Sequence, residues 1–315
     1  MKRRDFLVTG VLTTVLPILS PGATDMQMRK RTVKRGDVAL ATEAYGVAHR
    51  GTIVLVMGAT ASMVWWPMSL VHMLVDAGYL VVRFDHRDTG LSTTGAPGEL
   101  TYNLEDLAGD LIAILDDYGV DSAHFFGMSL GAYVAQLLAL TAPGRVKSLV
   151  MLSAEPPGLP YEGEGLPPGF MEHFSQMETL DWSDADAVTA FLLGIAELSS
   201  GTLRPFDKQK AEERIRLEIS RTGTMRSAFN HSMLAADLPS GLTAEQLEAP
   251  VLIIHGADDP IISANAARAA HVAIAHSTLM IIPGMGHELL EEDVPAIAEA
   301  VVEHCNRVDG QVRRE

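Results

Sequence analysis

Cysteine and positive charge are the two features that this sequence of 315 residues has little of. Cys305 is the single cysteine, so an intrachain disulfide and a cluster of thiolates around a metal ion are both excluded. Lys and Arg number 24 against 40 Asp and Glu, which gives a formal net charge of −16. Such a surface repels nucleic-acid phosphates, and we therefore expect no nucleic-acid partner.

The apolar run near the N-terminus, Val8 to Leu19, is too short to cross a bilayer, so no stable membrane span is expected. It follows the pair Arg3-Arg4, an order that resembles a twin-arginine export signal. We interpret residues 1–25 as an export signal, which predicts a periplasmic or extracellular protein. If the protein begins at Met26 or Met28 instead, it is cytoplasmic.

Strand-like and helical patterns alternate along most of the remaining chain. Met28 to Tyr45 predicts a β-hairpin that turns at Gly36-Asp37. Thr52 to Met57 is a continuous apolar run, typical of a strand that is covered on both faces of a parallel sheet. These patterns predict an α/β fold with a doubly wound, mostly parallel sheet. Further strand-like runs are Tyr79 to Phe84, Ala123 to Phe126, Val146 to Leu152, Val251 to Ile254 and Thr278 to Ile282, and helical patterns include Leu104 to Tyr118, Ser129 to Thr141 and Val294 to Cys305.

One long segment interrupts the alternation between the sixth and seventh strands. Pro156 to Leu247 begins with proline-rich sequence and continues with helical patterns that carry no strand signal. We predict that residues 156–247 form a helical lid over a core made of residues 28–155 and 248–308. Its aromatic side chains, such as Trp182 and Phe191, would either line a substrate pocket or form the lid's own core.

Gly127-Met128-Ser129-Leu130-Gly131 is a Gly-x-Ser-x-Gly motif placed directly between a buried strand and a helix. In that context the serine lies on a very tight turn, which exposes its hydroxyl above the sheet. Side chains two residues before and two residues after the serine would collide in such a turn, and glycine avoids the collision. The motif predicts that Ser129 is a nucleophile.

A serine hydroxyl needs a base to remove its proton, and the base needs an orienting carboxylate. His287 follows the last strand, in a loop that leads to the carboxyl edge of the sheet, where catalytic groups gather. Asp259 follows the preceding strand with the Gly-x-x-Asp spacing that is typical of this arrangement. Asp258 and Glu155 remain alternatives for the carboxylate. We interpret the other histidines at strand ends and in loops, among them His86, His124 and His255, as structural.

The developing oxyanion of a hydrolysis reaction also needs hydrogen-bond donors. The N–H of Leu130, which follows the nucleophile at the start of a helix, is one predicted donor. The second donor is expected in the loop Met57-Gly58-Ala59 after the third strand, and we predict the N–H of Ala59.

Asp85-His86-Arg87-Asp88-Thr89-Gly90-Leu91-Ser92, together with Val56-Met57-Gly58 and Trp66-Pro67, resembles the aclacinomycin methylesterase branch of the α/β-hydrolase superfamily. The resemblance extends over about residues 32 to 308. It implies hydrolysis of carboxylic esters, including methyl esters on polyketides, and it implies the same triad and oxyanion donors. We interpret the charged residues of the first segment as ion pairs that buttress the site.

These observations predict a serine hydrolase that cleaves a small hydrophobic carboxylic ester through an acyl-serine intermediate. Hydrolysis of a lactone, an amide or a C–C bond by the same triad is the main alternative. A protein of this fold that only binds a ligand is another, although binding alone would not require Ser129, Asp259 and His287 together. No step in this chemistry requires a cofactor or a metal ion, and we expect neither.

Overall fold

A computed structural model describes residues 27–163, 165–235 and 241–312. The predicted export signal, residues 1–25, lies outside this part of the chain. Within it, no helix is both long enough and apolar enough to span a bilayer.

The strands of the described residues form one eight-stranded sheet. They are β1 (Arg29–Arg35), β2 (Val38–Tyr45), β3 (Gly51–Val56), β4 (Tyr79–Phe84), β5 (Ala123–Met128), β6 (Val146–Leu152), β7 (Val251–Gly256) and β8 (Ser277–Ile282). Their order across the sheet is β1-β2-β4-β3-β5-β6-β7-β8, in which β1 and β2 pair antiparallel and β2 also pairs antiparallel with β4. All other neighbours are parallel, which confirms the predicted doubly wound, mostly parallel sheet.

Helices cover both faces of the sheet. Their bounds are α1 (Met68–Asp76), α2 (Leu104–Tyr118), α3 (Leu130–Thr141), α4 (Pro168–Ser175), α5 (Ala185–Ser199), α6 (Lys208–Arg221), α7 (Met225–Ala228), α8 (Ala264–Ala273) and α9 (Val294–Val312). Alternate residues of β3 enter two separate apolar clusters, Val54 and Val56 on one side and Ile53 and Leu55 on the other. Successive strand residues point to opposite faces, so α2, α3 and α8 pack on the first side and α1 and α9 on the second.

The last helix is longer than its sequence pattern predicts. The pattern ends at Cys305, but α9 continues to Val312. Polar contacts explain the extension: Asn306 Oδ1 accepts a hydrogen bond from Tyr79 Oη at 3.0 Å, and Lys147 Nζ donates to Asp309 Oδ1 at 3.1 Å. These contacts, together with the buried Val308, attach the final turns to the start of β4 and β6.

Between β6 and β7 the described residues contain α4 to α7, short 3-10 turns and no strand. We call the chain between these two strands the insertion. Its aromatic side chains largely pack against one another: the ring of Trp182 lies 5.9 Å from that of Phe191 and 5.6 Å from that of Phe229. Of the two interpretations that the sequence left open for Trp182 and Phe191, packing within the insertion is therefore the one observed.

Candidate active site

Ser129 connects β5 to α3 in a backbone conformation that few side chains adopt. Its φ is 50° and its ψ is −121°, and it forms the N-cap of α3 rather than the first helical residue that the sequence pattern suggested. Its N–H donates to the carbonyl of Leu152 at the end of the neighbouring strand, at 2.9 Å. Strain of this kind persists where surrounding contacts hold it, and it is concentrated at functional sites. The residue is half-buried and thus open on one side.

The two glycines of the motif allow this turn to pack closely. A Cβ on Gly131 would lie 2.1 Å from the carbonyl oxygen of Val56, and a Cβ on Gly127 would lie 2.4 Å from Cα of Ala132. Both distances are far below van der Waals contact, and the opposing atoms belong to backbone. The sequence argument for glycine at these positions is therefore confirmed.

His287 and Asp259 form a hydrogen-bonded pair at the carboxyl edge of the sheet. His287 Nδ1 lies 2.8 Å from Asp259 Oδ2, and the other carboxylate oxygen accepts from the N–H groups of Ile261 and Ile262, each at 2.9 Å. A carboxylate that accepts from Nδ1–H leaves Nε2 of the imidazole free to take a proton. The pair has the arrangement that a general base and its orienting acid require.

Burial alone would raise the pKa of Asp259, but its contacts with His255 and His287 outweigh burial and hold the pKa below the ordinary 3.8. The carboxylate is consequently ionised at neutral pH and can stabilise a positive charge on His287. Sequence reasoning missed the role of His255 in this contact. His255 Nε2 lies 2.8 Å from the carbonyl oxygen of Ile262 and 3.4 Å from Asp259 Oδ2. The four-residue spacing between His255 and Asp259 at the end of a strand was the available signal.

The two alternative carboxylates have other surroundings. Glu155 accepts a hydrogen bond from the hydroxyl of Tyr161. Asp258 Oδ2 is buried without a hydrogen-bond partner in the described residues. Among the three candidates from the sequence, Asp259 is the one whose side chain contacts His287.

Ser129, Asp259 and His287 follow β5, β7 and β8 respectively, which places all three at the carboxyl edge of the parallel sheet. Within the residues that the structure describes, the Ser129 hydroxyl and the His287 ring form no hydrogen bond. His287 also contacts the insertion, because its N–H donates to the carbonyl of Ser199, the last residue of α5, at 2.8 Å.

The loop after β3 lies directly against the nucleophile turn. A Cβ on Gly58 would stand 3.4 Å from Ser129 Cβ. The neighbouring Ala59 N–H and the Leu130 N–H at the start of α3 have no protein acceptor in the described part of the chain. Backbone N–H groups that are not bonded to protein acceptors are the kind of donor that an oxyanion requires.

The insertion holds the far part of the same loop. Glu218 of α6 accepts from the N–H of Ser62 at 3.1 Å, from its hydroxyl at 2.6 Å and from Trp65 Nε1 at 3.0 Å. Arg221, at the end of α6, pairs with Asp85 at 2.8 Å. Helix α6 of the insertion thus contacts both loops that follow β3 and β4.

The charged segment after β4 forms the ion pairs that the sequence predicted. Arg87 donates through Nε and Nη2 to the two oxygens of Asp110, each at 2.7 Å. Asp88 accepts from Tyr102 Oη at 2.8 Å and from the N–H of Gly95 at 2.6 Å. These charged side chains are bonded to protein partners, and they support the loop after β4 structurally.

No set of three or more His, Cys, Asp or Glu side chains among the described residues is arranged to hold a metal ion.

Comparison with known proteins gives concordant results. The family model for the alpha/beta hydrolase fold matches residues 51–294. Rhodomycin D methylesterase DnrP of Streptomyces peucetius is 30% identical over 295 residues, which cover 88% of this chain and 98% of that protein. Rhodomycin D methylesterase DauP of Streptomyces sp. (strain C5) matches with the same identity and coverage.

A solved structure of similar shape is a hydrolase from Pseudomonas aeruginosa PA01, with a TM-score of 0.68 and 26% identity over 87% of this chain and 97% of that one. The match to the family model extends over most of the chain, and the methylesterase relatives agree with the branch that the motifs after β3 and β4 indicated. The chain belongs to the α/β-hydrolase family, in the branch that contains aclacinomycin methylesterase.

Proposed function

We propose that this protein is a serine hydrolase that cleaves carboxylic esters, with Ser129 as nucleophile, His287 as general base and Asp259 as orienting acid. The observation that carries the proposal is the 2.8 Å contact between His287 and an ionised, buried Asp259, at the sheet edge on which the strained Ser129 lies. A protein that only bound a ligand would have no use for an imidazole that a buried carboxylate holds in this orientation.

In the proposed reaction, Ser129 Oγ attacks the ester carbonyl while His287 Nε2 takes the hydroxyl proton. The carbonyl oxygen becomes an oxyanion that accepts hydrogen bonds from the N–H groups of Ala59 and Leu130. Collapse of this intermediate breaks the ester C–O bond, and His287 returns its proton to the departing alcohol. Water then attacks the acyl-serine carbonyl while His287 Nε2 takes a proton from it. The bond to Ser129 Oγ breaks, His287 returns the proton to Oγ, and the acid is released.

We propose that the substrate is a hydrophobic ester and that the alcohol released is methanol. Support comes from the two relatives, both of which are rhodomycin D methylesterases by name.

We also propose that the insertion, approximately residues 156–247, acts as a lid. It contacts His287 through Ser199 and the loop after β3 through Glu218, so it borders the site on two sides. Residues 1–25 are proposed to direct export.

Reaction with a fluorophosphonate probe tests the nucleophile directly. The wild-type protein is expected to become labelled, with the label on the peptide that contains Ser129, and Ser129→Ala is expected to remain unlabelled. Labelling that is equal in both proteins would refute the assignment of Ser129, and an unlabelled wild-type protein would favour a ligand-binding role.

A substrate panel then separates the ester proposal from its alternatives. Aryl methyl esters, p-nitrophenyl esters of increasing acyl length, a lactone and an anilide would be compared at one enzyme concentration. We expect the methyl and p-nitrophenyl esters to be cleaved, with the rate rising as the acyl group becomes more apolar. Faster turnover of the lactone or the anilide than of every ester would exclude the proposed substrate class.

A further inference from the structure

Two buried histidines hold the loop that supplies the proposed oxyanion donor Ala59, one on each side of that residue. His86 Nε2 lies 3.0 Å from the carbonyl oxygen of Met57. The N–H of Thr60 donates to His231 Nδ1, also at 3.0 Å. Met57 and Thr60 flank the short segment in which Ala59 lies, so the two contacts limit how this segment can rotate.

The chemistry of the partners fixes the protonation of both rings. A carbonyl oxygen can only accept, so His86 Nε2 must carry the hydrogen. A backbone N–H can only donate, so His231 Nδ1 must be unprotonated, while His231 Nε2 donates to the carbonyl of Arg87 at 2.9 Å. The His86 contact therefore requires a hydrogen on Nε2, and the two His231 contacts together require a neutral imidazole with its hydrogen on Nε2. The tautomer with its hydrogen on Nδ1 would lose the Met57 contact at His86 and both contacts at His231.

Burial keeps both rings in the required neutral form. It lowers the pKa of His86 to about 3, with a further contribution from His231. Burial also lowers the pKa of His231, against the opposing effects of its hydrogen bond to the Arg87 carbonyl and of the nearby Asp88. At neutral pH neither ring carries a charge that would disturb the pattern of donors and acceptors.

The backbone at Thr60 shows that this loop is held away from its relaxed geometry. Thr60 has a φ of 65°, in the left-handed region that a β-branched residue rarely adopts. Such a conformation persists only where neighbouring contacts determine it. The hydrogen bond of the Thr60 N–H to His231 is one such contact, and it comes from the insertion rather than from the sheet.

The two histidines come from different parts of the fold and meet behind the loop. His86 belongs to the segment after β4, and His231 belongs to the insertion, with 5.9 Å between their ring centroids and an edge-to-face orientation. The more distant part of the loop has other anchors, since Glu218 holds Ser62 and Asp85 accepts from the N–H of Met63. The histidine pair thus contacts the segment from Met57 to Thr60, which contains Ala59.

We infer that His86 and His231 are positioning residues that hold the Ala59 N–H in the direction required by the oxyanion. The contact of His231 makes this geometry dependent on the docking of the insertion onto the core. The inference rests on the proposed esterase function, because it assigns a role to the loop in the transition state of that reaction. Neither histidine touches the substrate in this scheme.

Reciprocal substitutions at the two positions provide the test, because Asn and Gln each imitate one nitrogen of histidine. An Asn amide lies near the Nδ1 position and a Gln amide near the Nε2 position. His231→Asn therefore keeps the acceptor for Thr60, and His231→Gln loses it. At position 86 the order is reversed, since His86→Gln keeps the donor to Met57 and His86→Asn loses it.

We expect kcat for a p-nitrophenyl ester to fall by about 30- to 100-fold in His231→Gln and in His86→Asn. In His231→Asn and His86→Gln the loss should stay within about fivefold, and KM should change by less than about threefold in all four variants. A merely structural role would lower the thermal midpoint in every variant and would not make kcat follow opposite residue preferences at the two positions.

His124→Asn is the matched control. His124 is also fully buried and hydrogen-bonded through its ring, with Nδ1 at 2.8 Å from Ser148 Oγ and Nε2 at 3.4 Å from Asp309 Oδ2, but it lies near the opposite end of β5 from Ser129. It should lower the thermal midpoint without changing kcat. If the variant that loses its contact at one position does not fold, the comparison of the Asn and Gln variants at the other position tests the positioning role.

The outcomes separate this inference from the function on which it rests. If the wild-type protein neither reacts with the fluorophosphonate nor cleaves esters, both the proposed function and the positioning role are refuted. A second outcome is an active wild-type protein, an inactive Ser129→Ala and a kcat that is higher with the same residue, Asn or Gln, at both positions 86 and 231. In that case the proposed function stands and the positioning role is refuted. An unchanged kcat in His231→Gln overturns it equally.

Discussion

Asp259 Oδ2 lies 2.8 Å from His287 Nδ1, a contact that joins two loops separated by 28 residues of chain. Asp258, its immediate neighbour in sequence, makes no corresponding contact with this ring. The difference follows from the backbone after β7, where the N–H groups of Ile261 and Ile262 hold the Asp259 carboxylate in place. A difference of one position along the chain therefore decides which aspartate can orient the proposed base.

We expect Asp259→Asn to lower kcat for ester hydrolysis by about 10³- to 10⁴-fold with little change in KM, because an amide in place of the carboxylate favours the wrong tautomer of His287. Steady-state kinetics with a p-nitrophenyl ester would measure the loss. Asp258→Asn and Glu155→Gln are the matched controls and should retain kcat within about threefold. A larger loss in either control than in Asp259→Asn would transfer the orienting role to that residue.

Close packing at the nucleophile turn predicts intolerance of any side chain at Gly131. An added Cβ would meet the Val56 carbonyl oxygen at 2.1 Å, and a backbone group cannot rotate away. Gly131→Ala should therefore lower the free energy of unfolding by about 3 kcal/mol or more. Gly144→Ala, where a Cβ would meet no atom within 4 Å, should be neutral or slightly stabilising. Urea denaturation of both variants measures the difference, and equal stabilities would contradict the packing argument.

The ion pair between Arg221 and Asp85 predicts how strongly the insertion is attached to the core. Burial raises the pKa of Asp85 even with Arg221 beside it, and the carboxylate side chain is fully buried. Arg221→Met would leave this carboxylate without its ion-pair partner, and we expect a loss of about 3 kcal/mol in unfolding free energy. Arg216→Met, on the same helix but with an exposed side chain, should leave the unfolding free energy nearly unchanged. Comparable losses in the two variants would show that the Asp85 pair does not anchor the insertion.

Buried neutral histidines predict a loss of stability in acid. Burial, together with the nearby positive charge of Arg307 and the nearby His124, lowers the pKa of His304 from 6.5 to about 4. Between those two values the unfolded chain binds a proton that the folded chain does not, so stability falls as the pH falls. Each such histidine contributes a slope of up to about 1.4 kcal/mol per pH unit.

His304→Asn should accordingly flatten the dependence of unfolding free energy on pH by about 1.4 kcal/mol per unit between about pH 6 and pH 4.5. Chemical denaturation at several pH values would measure the slope. His304 lies on α9 near His124, which is at the opposite end of β5 from Ser129, so kcat at neutral pH serves as the internal control and should not change. An unchanged slope would mean that His304 is already protonated in the fold.

Several features of the fold and the site followed from local sequence alone. The runs that became β3 to β7 are largely apolar because both faces of these strands are covered, and that pattern is visible without coordinates. The motif around Ser129 was equally informative: a Cβ on Gly127 would collide with the nearby Ala132, although a Cβ on Gly131 would collide with the backbone of the distant Val56. The loops that carry Asp259 and His287 were located by the strands that precede them.

The interpretation of the other histidines shows where sequence reasoning ended. His86 and His255 were expected to be structural, and His231 had no signal at all. His86 holds a backbone carbonyl beside Ala59, and His255 contacts the carboxylate that orients His287. Their partners are backbone atoms or side chains of other loops, and the Thr60–His231 bond spans 171 residues. Backbone atoms leave no trace in the identity of a residue, so such contacts cannot be inferred from spacing.

The order of strands and helices and the tight turn at Ser129 were determined by the sequence itself, because apolar periodicity and the Gly-x-Ser-x-Gly spacing are both contained in short segments of chain. Which carboxylate meets His287, and which side chains hold the loop that contains Ala59, was decided only by the tertiary structure. Those contacts depend on the directions in which separate loops leave the sheet and on how the insertion docks against them. Such directions are set by packing across the whole domain, and no short segment of the chain encodes them.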